Sequence, residues 1–132
     1  MRARTQTAVE TNLDIVVLNA GSMVLVGRTR KTYQIISDRK QKNETDEEAA
    51  CRIVERELSL KVDPGRFKPF GDFTMLLEID NDEWTRIRLN RVKYKSIALW
   101  LPESVSKADD TSPKIKKIAL RIMAKLPSRK IL

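Results

Sequence analysis

The sequence predicts one α/β (α+β) domain, a mixed β-sheet sandwiched between helices. Three observations carry that expectation. Apolar runs of strand length come first, at Asp14 to Leu18 and Met23 to Gly27. A stretch with apolar residues at helical spacing starts near Asp46, and more strand-like segments follow it. An amphipathic segment then opens at Pro113. Strands, helix, strands and helix in that order layer helices on a sheet. A length of 132 residues fits a single domain, assigned to residues 12–132 behind a basic tail, 1–11.

The tail carries Arg2 and Arg4 with no acid before Glu10. Its resemblance to the start of a mitochondrial transit peptide is weak, because it is short and has no clear apolar face. Asp14 to Leu18 and Met23 to Gly27 read as a hairpin. Asn19-Ala20-Gly21-Ser22 is its turn, since Asn and Gly tolerate positive φ. Tyr33 to Ile36 is a short third strand. Thr45 or Asp46 caps a helix running to about Leu60, with Asp46, Glu47 and Glu48 at its positive end. Ala49, Ile53 and Val54 supply its apolar face, and Glu48 and Arg52 are favourable i,i+4 neighbours.

Asp63-Pro64-Gly65 is a turn, and Phe67 to Phe70 and Phe73 to Ile79 are strands. Asn81-Asp82 reads as a turn, Trp84 to Lys95 as a basic strand region, and Ile97 to Leu101 as another strand. Pro102 to Ser112 reads as a loop. Ser112-Pro113 starts the last helix with Pro at its first position. Ile115, Ile118, Ala119, Ile122, Met123 and Leu126 form its apolar stripe.

Composition excludes several kinds of chemistry. No apolar run approaches the roughly 20 residues of a membrane span, so no membrane partner is expected. One cysteine, Cys51, excludes an internal disulfide and is expected as a small core residue. There is no histidine, which removes Ser-His and Cys-His catalysis and imidazole metal sites. Any chemistry must run on carboxylates, lysines or hydroxyls. The net charge is +8, from 26 basic and 18 acidic residues. That excess favours a phosphate-rich partner through counterion release. An intracellular protein, cytoplasmic or mitochondrial, is expected.

Residues 38–60 carry the most specific pattern. Glu44, Arg52 and Glu57 stand at the spacing E-x7-R-x4-E, Val54 and Leu60 hold two apolar positions, and Glu47-Glu48-Ala49-Ala50 precede the arginine. This resembles the box of the Nudix hydrolase superfamily, G-x5-E-x7-R-E-U-x-E-E-x-G-U with U bulky and apolar. The departures are as clear as the matches. Asp38 and Ser59 replace the two glycines, and Ile53 and Arg56 replace two glutamates. The order of elements also fits the Nudix-like α/β/α sandwich, over roughly residues 12–126.

In that family the helix glutamates hold divalent cations, commonly Mg²⁺, against a pyrophosphate that water attacks. Mg²⁺ takes hard oxygen ligands, and it neutralises phosphate charge while generating the nucleophile. The resemblance makes Glu57 a weak metal candidate and leaves Glu44, Arg52 and Glu57 as the residual box residues. Arg56 cannot ligate a cation. At about 5 Å and an effective dielectric near 20, a unit charge and a divalent ion interact by several kcal/mol, so the replacement disfavours metal. The expectation is therefore a degenerate, catalytically inactive Nudix-like domain, a pseudoenzyme with no cofactor. The alternative is a divergent pyrophosphohydrolase using Mg²⁺ or Mn²⁺ on a nucleoside diphosphate derivative, helped by Glu47, Glu48, Asp80 or Asp82.

A second surface comes from residues 84–95, which hold five basic side chains and no acid. In an extended strand Arg86 and Arg88 share one face, as do Arg91, Lys93 and Lys95, with a shift of phase at Asn90. Such a ridge could follow a phosphate backbone. With the net charge, and with the resemblance to Nudix-like subunits of RNA-containing assemblies, it implies RNA or a ribonucleoprotein as partner. The chain would then be a binding or scaffold subunit. A third option is a protein-binding adaptor using the last helix or a sheet edge. No sequence-specific RNA-binding motif is visible.

Overall fold

Strand β1 (Asn12–Asn19) occupies the middle of a seven-stranded mixed sheet in the computed structural model, which describes residues 12–19, 23–109, 111 and 113–125. Its side chains alternate between two cores, as strand geometry requires. Leu13, Ile15 and Val17 pack with Ala49, Ala50, Ile53, Val54 and Leu58 of helix α1 (Asp46–Leu58). Val16 and Leu18 pack with Ile115, Ile118, Ala119 and Ile122 of helix α4 (Pro113–Lys125). The sheet is thus covered on both faces, the α/β/α sandwich expected.

Strand β2 (Met23–Arg28) pairs antiparallel with β1 at Leu18–Val24 and Asn19–Met23, forming the hairpin, whose residues 20–22 lie outside the described residues. The segment expected as one strand at 33–36 is split. β3 (Tyr33–Gln34) stays on β2, whereas β4 (Ile36–Arg39) pairs with β1 from Ile15–Ile36 to Asn12–Arg39. The split falls at Ile35, which faces the α4 core while Ile36 faces the α1 core. β5 (Phe67–Pro69) pairs antiparallel with β6 (Thr74–Ile79), and β6 runs parallel to β1. A parallel pair needs a long crossover, and α1 lies on it. Gly71 turns the β5–β6 connection at φ 108°, a conformation open to glycine.

Three expectations fail for local reasons. Asn81-Asp82 is the first turn of α2 (Asn81–Arg86), because Asp80 and Glu83 form a reciprocal capping box. Arg66 grips the buried Glu83 with two bonds of 2.7 and 3.0 Å. Residues 84–95 are therefore not a strand: α2 takes the first part, and an irregular segment with a turn at 91–93 takes the rest. The 87–90 stretch caps the end of α1, Arg88 and Asn90 amides donating to the Leu58 and Glu57 carbonyls. Helix ends need such partners, and this satisfies them without a sheet. At Asn90 the expected change of phase is a turn, its Oδ1 accepting the Val92 amide.

The 102–112 loop contains α3 (Pro102–Lys107), which the sequence hides because it buries only Val105. β7 (Ser96–Trp100) closes on β2. In α4 the stripe holds except at Met123, which is 42% exposed. Leu126 and the 1–11 tail lie outside the described residues. Cys51 is half-buried rather than core, its thiol donating to the Val62 carbonyl at 3.3 Å. No helix among the described residues is long and apolar enough to cross a membrane.

Candidate functional site

Helix α1 places the box. Thr45 caps it: its hydroxyl accepts from the Glu48 amide and the Glu48 carboxylate accepts from the Thr45 amide. Glu48 is spent there rather than on Arg52. Arg52 instead reaches back to Glu44 with two bonds, Nε–Oε2 at 2.7 Å and Nη2–Oε1 at 3.0 Å, and to the Arg39 carbonyl at 2.8 Å. Glu44 also accepts the Gln41 amide. The bonds from Arg52 hold the Glu44 carboxyl below its usual range. These two residual box residues thus tie the loop before α1 to the helix.

At the other end of α1, Ser59 takes the left-handed conformation, φ 55°. That is the position where the box pattern has glycine, the residue that enters the left-handed region without steric cost.

Glu57 is 1% exposed. Its Oε2 lies 3.7 Å from Arg56 Nε, and its buried Oε1 has no hydrogen-bond partner among the described residues. Burial pushes the Glu57 carboxyl up, opposed by the charges of Lys93 and Arg56. Arg56 is anchored by Asp38, Nη1 to Oδ2 at 2.8 Å. Lys93 donates to the Ser37 carbonyl. Two cations therefore flank the one buried box carboxylate. Tyr94, fully buried next to Lys93, accepts the Ser37 amide at 3.4 Å, and burial raises its hydroxyl to about 12.

Neither a protein-family profile nor a curated protein matches the sequence. Solved structures do resemble the fold. DR0079 from Deinococcus radiodurans superposes with a TM-score of 0.69 at 16% identity, over 92% of this chain and 89% of that one. A MutT protein from Methanosarcina mazei Go1 gives 0.65 at 10% identity, over 90% and 96%. A Nudix family hydrolase from Clostridium perfringens gives 0.65 at 12%, over 88% and 97%. The chain has the Nudix fold.

Mg²⁺ needs several hard oxygen donors. Among the described residues no group of three or more Asp, Glu, His or Cys side chains is placed to hold a metal. Glu44 is committed to Arg52 and Asp38 to Arg56, and Ile53 is wholly inside the α1 core. Glu57 Oε1 is an unpartnered acceptor, but its surroundings are Arg56 and Lys93. This donor set does not fit the metal.

The five basic residues of 84–95 do not form one ridge. Arg86 ends α2 and lies 3.4 Å from Asp82, Arg88 lends its amide to α1, and Arg91 bonds the Lys95 carbonyl at 3.3 Å. Lys93 turns to Ser37 and the box, and Lys95 gives its amide to the Arg28 carbonyl. Asp80 and Asp82 sit at the start of α2 and Glu47 in the first turn of α1, and none is grouped with Glu57 as a metal site. Sequence reading placed Asp38 in the box without its pairing to Arg56, and placed Lys93 on the basic segment rather than at the box. A signal for that pairing existed: an acid and a base both stand at departures from the box pattern, and opposite charges can pair.

Proposed function

We propose that this Nudix-fold domain works at its box loop on a phosphoanhydride ligand, and that it holds this ligand rather than hydrolysing it by the carboxylate–metal route. The Asp38–Arg56 ion pair carries the reading, since it puts a fixed cation, with its own counter-ion, where the box pattern places a metal-binding glutamate. Arg56 and Lys93 beside Glu57 support it further.

The second reading is a divergent Mg²⁺- or Mn²⁺-dependent pyrophosphohydrolase acting on a nucleoside diphosphate derivative. The comparisons favour it, because the similar structures include a Nudix family hydrolase and a C. elegans Ap4A hydrolase. The unpartnered Glu57 Oε1 is its best support within the chain. Incubation with Mg²⁺ or Mn²⁺ and a panel of dinucleoside polyphosphates and nucleotide sugars separates the two. The first reading expects no turnover above buffer. Turnover abolished by Glu57→Gln establishes the second.

We infer an RNA or ribonucleoprotein partner from the +8 charge alone, since residues 84–95 form no basic strand. RNA affinity that falls steeply with salt would favour it.

A further inference from the structure

Beside the Asp38–Arg56 pair lies an open cavity of about 520 Å³, walled by residues 38–42 with Arg52 and Arg56. Five of its seven lining residues are cationic and one, Asp38, is anionic. We propose that this cavity binds the diphosphate group of a small molecule directly through side-chain cations, with no divalent ion. The proposal rests on the reading that the box recruits no metal, and it names the ligand chemistry that replaces it.

The donors are in place. Arg52 spends Nε and Nη2 on Glu44 and the Arg39 carbonyl, which leaves the N–H groups of Nη1. Arg56 spends Nη1 on Asp38 and keeps those of Nη2. Guanidinium forks suit phosphate oxygens. The two arginines are one helical turn apart on α1, with roughly 5–6 Å between their Cβ atoms, a spacing that suits two linked phosphoryl groups better than one. Lys40 is held by Asp46 at 2.9 Å. Lys42 is exposed and forms no ion pair among the described residues, so it can close on an anion from the rim. Glu44 and Asp38 are the charges that must be outweighed, and they keep both forks oriented.

The test is calorimetric titration of the full chain with sodium pyrophosphate in buffer containing EDTA, beside a titration with orthophosphate. Saturable pyrophosphate binding is expected in EDTA, at least tenfold tighter than orthophosphate. Lys42→Glu and Arg56→Gln should each weaken it at least tenfold, and Lys42→Glu should do so with an unchanged melting temperature. Binding that appears only when Mg²⁺ is added overturns the proposal, as does equal affinity for orthophosphate or indifference to both substitutions. Turnover of a dinucleoside polyphosphate is a separate result, because it removes the non-hydrolytic reading. Absence of both turnover and EDTA-resistant binding removes only this site.

Discussion

Arg56 and Asp38 meet at 2.8 Å across the gap between α1 and the end of β4, and each stands where the Nudix box has another kind of residue. A base has replaced an acid on the helix, and an acid has replaced a glycine on the strand. The acid offsets half of the two-unit rise in charge that the base brings. The pair ties the end of β4 to α1 at the edge of the box.

The Glu44–Arg52 pair should give the protein an acid-sensitive component of stability. Arg52 holds the Glu44 carboxyl below its ordinary value of 4.5. A lowered carboxyl contributes stability that is present above the unfolded value and is lost as pH falls through the folded value. Glu44→Gln should cost about 1–2 kcal/mol at neutral pH. That difference should shrink as pH falls below about 4. Urea unfolding of both proteins at pH 7 and pH 3 checks this, and an equal difference at the two pH values contradicts it.

Ser59→Gly should stabilise the protein by about 1 kcal/mol, because Ser59 pays the steric cost of the left-handed region at φ 55°. Ser59→Val, β-branched at the same position, should destabilise it. Thermal melts of the two variants measure both signs.

Gly27 is needed for packing rather than for turning. A Cβ there would lie 2.5 Å from Tyr94 Cδ1, in a ring with no exposure. Gly27→Ala should therefore cost about 1–3 kcal/mol by overpacking. Combined with Tyr94→Leu, the two costs should be clearly non-additive, and simple addition in denaturant melts would show that the clash is relieved elsewhere.

The sandwich was legible because its signals are local and repetitive. Alternation along β1, the Thr45 cap and the α4 stripe each point to one element. The 84–95 segment misled for the opposite reason. Arg86, Arg88 and their apolar neighbours alternate as a strand does, but the Asp80–Glu83 capping box and the Arg66 grip on Glu83 start a helix first. The following residues then serve the end of α1. Within the site, spacing placed Glu44, Arg52 and Glu57 on one motif, and the structure shows two of them paired. Spacing could not bring Lys93 to Ser37, since that contact joins residues 56 positions apart. Helical spacing did put Ile53 on the apolar face, and its complete burial rules out restoring a carboxylate there without burying a charge.

The most direct measurement is Mn²⁺ binding, followed by electron paramagnetic resonance on the unmodified chain and on Arg56→Glu, which sets a third carboxylate beside Asp38 and Glu57. The unmodified chain is expected to show no saturable binding below millimolar Mn²⁺, and Arg56→Glu at least a tenfold gain in affinity. Micromolar binding by the unmodified chain that disappears in Glu57→Gln would contradict that expectation.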